Sequence, residues 1–120
     1  MKPIKLPIPA IEFYPPMQGL DGRFNTFRLG LAWSKRVSKG DYVLLLDNKT
    51  KVAFARARVT GVHTGTLCEM AKLYAHLNHN QRHDPSNARQ NIVTALMKRY
   101  GPQMVTVDKK VTVIDLRRLK

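Results

Sequence analysis

Gly22-Arg23-Phe24-Asn25-Thr26-Phe27-Arg28-Leu29-Gly30-Leu31 is the stretch on which the fold reading turns. From Asn25 to Leu31 the side chains alternate, with Thr26, Arg28 and Gly30 facing one way and Phe27, Leu29 and Leu31 the other. A period of two is the pattern of a half-buried strand. It predicts Thr26 and Arg28 on the open face and Phe27 in the core. Trp33 to Lys39 then reads as a basic loop, carrying Lys35, Arg36 and Lys39 to a Gly40-Asp41 turn. The patch is cationic and bears a hydroxyl, which points to an anionic partner.

Working outward, Tyr42-Val43-Leu44-Leu45-Leu46 is an apolar run of strand length, as expected of a strand covered on both faces. Asp47-Asn48-Lys49-Thr50 reads as a turn. Val52 to Val62 is a further strand, with Ala53, Ala55, Ala57 and Val59 on one face and Val52, Phe54, Arg56 and Arg58 on the other. Thr66 and Glu69 have capping-box spacing, and Leu67, Met70, Leu73, Tyr74 and Leu77 recur at helical spacing. A helix is predicted from Thr66 to about His79. A second begins near Ser86 or Asn87, carries Ile92, Val93, Leu96, Met97 and Tyr100 as its stripe, and stops at Gly101-Pro102. Met104 to Val107 and Val111 to Leu116 are expected as closing strands around Asp108-Lys109-Lys110.

Upstream, Pro3, Pro7 and Pro9 alternate with Ile4, Leu6 and Ile8, which predicts an extended arm over residues 1–10. Ala10 to Phe13 is the first strand candidate. Tyr14-Pro15-Pro16 opens a turn or short helix that Gly19, Asp21 and Gly22 end. The expected layout is one domain over residues 11–116 and a basic end at 117–120.

Composition bounds the function. The chain has 120 residues, 21 Lys plus Arg against 8 Asp plus Glu, and a formal charge of +13. That excess is spread along the sequence. Such a field attracts phosphate polymers, because neutralising phosphates releases condensed counterions. The 43% hydrophobic content supports a real core. No run approaches the roughly 18 apolar residues of a membrane span, and Met-Lys-Pro-Ile-Lys lacks the apolar centre of a signal peptide. The one cysteine, Cys68, cannot form an internal disulfide, so a reducing, cytoplasmic setting is expected.

Several chemistries find little support. His76, His79, His83 and Asp84 have spacings that test for a metal, but they lie at a helix margin and in a polar loop without cysteine support, so no metal or other cofactor is expected. Cys68 falls in the first turn of its helix with no base nearby in sequence. No phosphate-loop, dinucleotide or HExxH signature is present. Glu12 and Glu69 are the only glutamates, which leaves few groups for carboxylate-pair hydrolysis. The basic surface is the better candidate. Arg23, Arg28, Arg56 and Arg58 supply forked donors, Thr26 a hydroxyl, and Lys35, Arg36 and Lys39 point charges. An exposed ring among Phe24 and Trp33 would stack on an unpaired base.

Gly22-Arg23-Phe24-Asn25-Thr26-Phe27-Arg28, followed by Gly40-Asp41-Tyr42-Val43-Leu44, resembles the ASCH domain family of the PUA-like superfamily, over about Ile11 to Leu116. The resemblance implies an α+β fold, a small PUA-like mixed β-barrel with two flanking helices and a cleft lined by the Gly22 to Arg28 segment. Some members of that family resemble RNA-binding modules, others are ribonucleases, and one branch removes an acetyl group from N4-acetylcytidine. That branch uses a lysine after the Gly-Arg pair, a threonine two positions before the strand's arginine, and a glutamate at the helix region. Thr26 and Arg28 match. Phe24 follows Gly22-Arg23, an alignment on Thr26 places Arg23 at the lysine position, and His79-Asn80-Gln81 lacks the glutamate. Arginine stays charged and suits electrostatic stabilisation better than proton transfer.

The expected function is therefore an RNA-binding module with a basic cleft for RNA or a modified nucleotide. One alternative is a hydrolase acting on an N4-acylated cytidine-type nucleoside or on RNA, with Arg23, Thr26 and His79 as catalytic candidates. The other is an interaction module for an acidic protein partner.

Overall fold

The computed structural model describes residues 7–14 and 18–120. The Pro3 to Leu6 part of the expected arm and the Pro15-Pro16 turn lie outside these residues. Five strands form one sheet: β1 (Ala10–Phe13), β2 (Arg23–Leu29), β3 (Tyr42–Asp47), β4 (Ala53–Thr66) and β5 (Lys110–Arg118). The helices are α1 (Ala32–Arg36), α2 (Leu67–Tyr74) and α3 (Ala88–Tyr100), with single 3-10 turns at Ala75–Leu77 and Pro85–Asn87.

The strand order is β1-β3-β4-β5-β2, with β1 and β3 parallel and every other neighbouring pair antiparallel. The expected β-barrel is corrected: β1 and β2 are the two edges and do not pair, so the sheet stays open. Both edges already have partners. On β2, the His79 N–H donates to the Asn25 carbonyl at 3.1 Å, and Asn78 forms an isolated bridge to Asn25. On β1, Arg28 Nη2 donates to the Glu12 carbonyl at 2.6 Å. A side chain and a post-helix segment cap the two edges that a barrel would join with a ladder.

Two apolar clusters lie on the two faces. One gathers Ile11, Phe13, Phe24, Val43, Leu45, Ile114 and Leu116; the other packs Phe27, Val111 and Val113 beneath Leu67, Met70, Ile92 and Leu96 of α2 and α3. Both faces of β2 are therefore covered, and Thr26, expected in the open, is 2% exposed. The expected basic loop contains α1, which follows Gly30 at φ +79°.

The Thr66–Glu69 capping box forms as read. Leu73 and Leu77 of the expected stripe are exposed, and the small residues Ala71 and Ala75 are buried in their place. Met104 to Val107 is not a strand; β5 instead pairs with β4 and β2 and runs to Arg118. Ion pairs among the described residues include Lys51–Glu12, His63–Asp115 and Arg82–Asp21. They give no independent sign of a strongly basic protein, and the positive balance rests on composition alone. Among the described residues no helix is long and apolar enough to cross a membrane.

Candidate functional site

The gap between β1 and β2 opens into a cavity of about 180 Å³, backed by α3 and by the segment after α2. Glu12, Thr26, Arg28, His79, Arg99 and Tyr100 are among its walls. Strand alternation places Thr26 and Arg28 on one face of β2, as expected, but that face turns inward beside Phe24. Arg28 Nε donates to Thr26 Oγ1 at 3.2 Å, and its guanidinium carbon lies 5.2 Å from the Phe13 ring centroid. Burial lowers the Arg28 pKa to about 10; Arg99 adds to the fall, while Tyr100, Glu12 and Tyr14 oppose it. Arg28 remains a cation at neutral pH, with N–H donors beyond those its two partners use.

His79 sits edge-on to Phe13, with centroids 5.0 Å apart, and to Phe24 at 6.4 Å. Burial, then the Arg28 cation, pulls its pKa down to about 4 against a hydrogen bond with the Gln18 backbone. The ring is neutral at neutral pH, and its Nδ1 is buried without a hydrogen-bond partner. Gly19 covers the His79 backbone at φ +61°, where an added Cβ would lie 2.0 Å from the His79 carbonyl oxygen. Only glycine fits there. At the mouth, the Arg99 guanidinium stacks on Tyr14 at 3.5 Å and lies 5.6 Å from the Tyr100 ring centroid. The Glu12 carboxylate is held by Asn48 and Lys51, which lower its pKa in that order.

Among the sequence candidates, Thr26, Arg28 and His79 converge on this cavity. Arg23 stands at the other end of β2 and on its opposite face, roughly 16 Å away at about 3.3 Å per residue. Lys35 and Arg36 lie in the last turn of α1, which packs on β4 and β5, and the Arg36 guanidinium covers the Trp33 ring at 4.1 Å. Lys39 lines a separate groove with Ser34 and His63. Arg56 and Arg58 lie on β4, where Arg58 stacks over Tyr42 at 4.9 Å. Glu12, Tyr14 and Arg99 went unread as site residues. Helical spacing could have placed Arg99 near Leu96 at the cavity edge, but no local signal joins Tyr14 to either.

Face alternation also builds a polar network beyond the cavity. His63 Nε2 lies 2.7 Å from Asp115 Oδ2, and Tyr74 Oη lies 3.2 Å from His63 Nδ1. The neutral Nε2–H tautomer satisfies both contacts. The Tyr74 ring stacks on His63 at 4.2 Å, which ties the end of α2 to β4. Among the described residues no group of three or more His, Cys, Asp or Glu side chains is arranged to hold a metal. Asp84 instead accepts hydrogen bonds from Ser86 and Asn87, while His76 and His83 are exposed.

No family model matches the chain, and no curated protein matches it either. Solved structures share its fold. It is similar to the hypothetical protein PH0355, with TM-score 0.65 and 13% identity over 92% of this chain and 97% of that one. The DUF984 protein EF3133 from Enterococcus faecalis V583 aligns with TM-score 0.57 and 12% identity over 82% of this chain and 61% of that one. An ASCH domain from Lactobacillus crispatus JV V101 aligns with TM-score 0.50 and 9% identity over 83% of this chain and 65% of that one. The chain thus spans less than two thirds of the Enterococcus and Lactobacillus proteins and nearly all of PH0355. These likenesses establish a small α+β fold related to the ASCH-domain structure.

Proposed function

We propose that this is an RNA-binding module whose cavity between β1 and β2 receives a single base or modified base. The observation that carries the reading is the pairing of cationic Arg28 with neutral His79, whose buried Nδ1 has no partner, in one small cavity. Its 180 Å³ falls below the roughly 300–1,000 Å³ of sites for drug-sized ligands. A planar ring fits inside while sugar and phosphate stay at the mouth. There Arg99, pre-stacked on Tyr14, offers donors to a phosphate and an aromatic surface to a neighbouring base. Inside, Arg28 donates to base carbonyls, and His79 Nδ1 accepts from an exocyclic N–H.

The test is calorimetric titration with short single-stranded RNAs and with cytidine and N4-acetylcytidine. Binding weakened about tenfold or more by His79→Phe, with folding retained, supports the site. Wild-type affinity in that variant would remove it.

A second reading, hydrolysis of an acylated base, draws on Glu12 and Thr26 sharing the cavity with Arg28. Glu12 is the only carboxylate among the lining residues, and Arg23, at the family's lysine position, stands on the far face of β2. Incubation with N4-acetylcytidine decides it: steady release of cytidine, abolished in Thr26→Val, establishes hydrolysis, and an unchanged substrate leaves binding alone.

A further inference from the structure

The strand register assembles a row that the sequence does not show. Arg23 of β2 is directly opposite Arg117 of β5, and Arg117 is directly opposite Arg58 of β4. Directly opposed residues share a face, and adjacent strands are about 4.8 Å apart, so three arginine side chains leave neighbouring positions of one face, with the Arg58 guanidinium leaning onward over Tyr42. Like charges placed this way are destabilising in isolation. Arg23 and Arg117 are exposed and have no ion pair among the described residues. Asp115, on the same face one row inward, is engaged by His63.

Two residues along β4 from Arg58, Arg56 enters a groove at the end of the sheet that is also lined by Phe54, Arg118 and Lys120. Backbone carbonyls hold three arginines of the row and groove in place. Arg56 Nη2 donates to the Lys120 carbonyl and Arg118 Nη1 to the Leu20 carbonyl, both at 3.3 Å, while Arg58 Nε donates to the Gly40 carbonyl at 3.4 Å. Each guanidinium keeps further donors. Among these cations Phe54 is 36% exposed, with the Arg118 guanidinium 5.7 Å from its ring centroid.

We propose that the Arg23–Arg117–Arg58 row and the adjoining groove form a second nucleic-acid site, which binds successive phosphates of a single strand and stacks one base on Phe54. Consecutive arginines across neighbouring strands suit a polymer with repeated anions, and the exposed Phe54 ring in the adjoining groove adds the stacking surface that an unpaired base uses. An acidic protein would not need that ring. The row lies on the opposite face and at the opposite end of β2 from the cavity, and no residue of the groove lines that cavity, so the proposal goes beyond the base-binding reading and does not depend on it.

The experiment is fluorescence anisotropy with a labelled oligouridylate of about 12 nucleotides, titrated across a salt series. Arg23→Gln, Arg117→Gln and Arg58→Gln are each expected to lower the slope of log K against log salt by about 0.7, and the triple variant by about 2. The triple Arg→Lys variant should keep most of the slope. Phe54→Ala should weaken binding about fivefold or more at constant slope. His79→Phe should leave the slope unchanged while altering binding of the free nucleoside, which separates failure of this site from failure of the cavity. A wild-type slope in the triple Gln variant overturns the proposal. Equal affinity for a polyglutamate of matched charge also overturns it, by making the row a site for acidic chains.

Discussion

Arg28 and Arg23 occupy opposite ends and opposite faces of β2, and the protein uses them in opposite ways. Arg28 is half-buried, bonded to the Glu12 carbonyl and Thr26 Oγ1, and spans the gap between the two edges of the sheet. Arg23 stands in the open beside Arg117. The histidines repeat the contrast. His79 is neutral with an unpartnered Nδ1, whereas His63 has a partner at each ring nitrogen. Residue type decides what chemistry is available; the number of partners supplied by the fold decides whether it remains free for a ligand.

The largest effect should come from Gly19→Ala, which breaks the cavity end. A positive φ and a Cβ placed 2.0 Å from the His79 carbonyl oxygen cannot both be relieved without moving the loop. A loss of about 3 kcal/mol is expected in denaturant unfolding; an unchanged midpoint would show that the loop does not pack on His79. Next, Arg28→Met removes the bridge and leaves the Glu12 carbonyl unpaired, for an expected loss of about 2 kcal/mol. Arg23→Gln, measured alongside, should stay within about 0.5 kcal/mol of wild type. Equal losses in the two variants would erase the contrast drawn between the ends of β2.

Acidification sharpens the histidine comparison. The folded His79 pKa, lowered to about 4, lies below the ordinary value of 6.5, so the unfolded chain binds more protons between those values. Stability from this group is complete above about pH 6.5 and falls as pH drops toward 4, by at most about 1.4 kcal/mol per pH unit. His79→Phe should flatten that slope in thermal melts at a series of pH values, and a slope that survives the change assigns it to other groups. Smaller still is Gly61→Ala, whose Cβ would lie 2.8 Å from Asp115 Oδ2 and 3.1 Å from His63 Nε2. A loss of about 1 kcal/mol is expected, with the His63 imidazole proton signals shifted in NMR spectra.

How much was legible depended on the range of each signal. The capping box of α2 was readable because Thr66 and Glu69 are neighbours on one helical turn. The stop of α3 was readable because Gly101 follows it directly. Alternation placed Thr26 and Arg28 on the same face and Phe27 in the core, yet left the Thr26 face open where the fold covers both, since a period of two cannot say what covers a strand. His79 could be nominated from the resemblance, but its neutral state required Phe13, Phe24 and Arg28 around it.

Sequence alone determined the α+β content, the cores of the main strands, both long helices and the excess of arginine and lysine, because these follow from neighbours a few residues apart. Only the tertiary structure decided that the sheet remains open, that Arg28 joins its edges and that Arg23, Arg117 and Arg58 fall into one row. Register and edge contacts join residues that are remote in the chain, as Arg58 and Arg117 are. Packing of the whole sheet settles them, and no local periodicity encodes that packing.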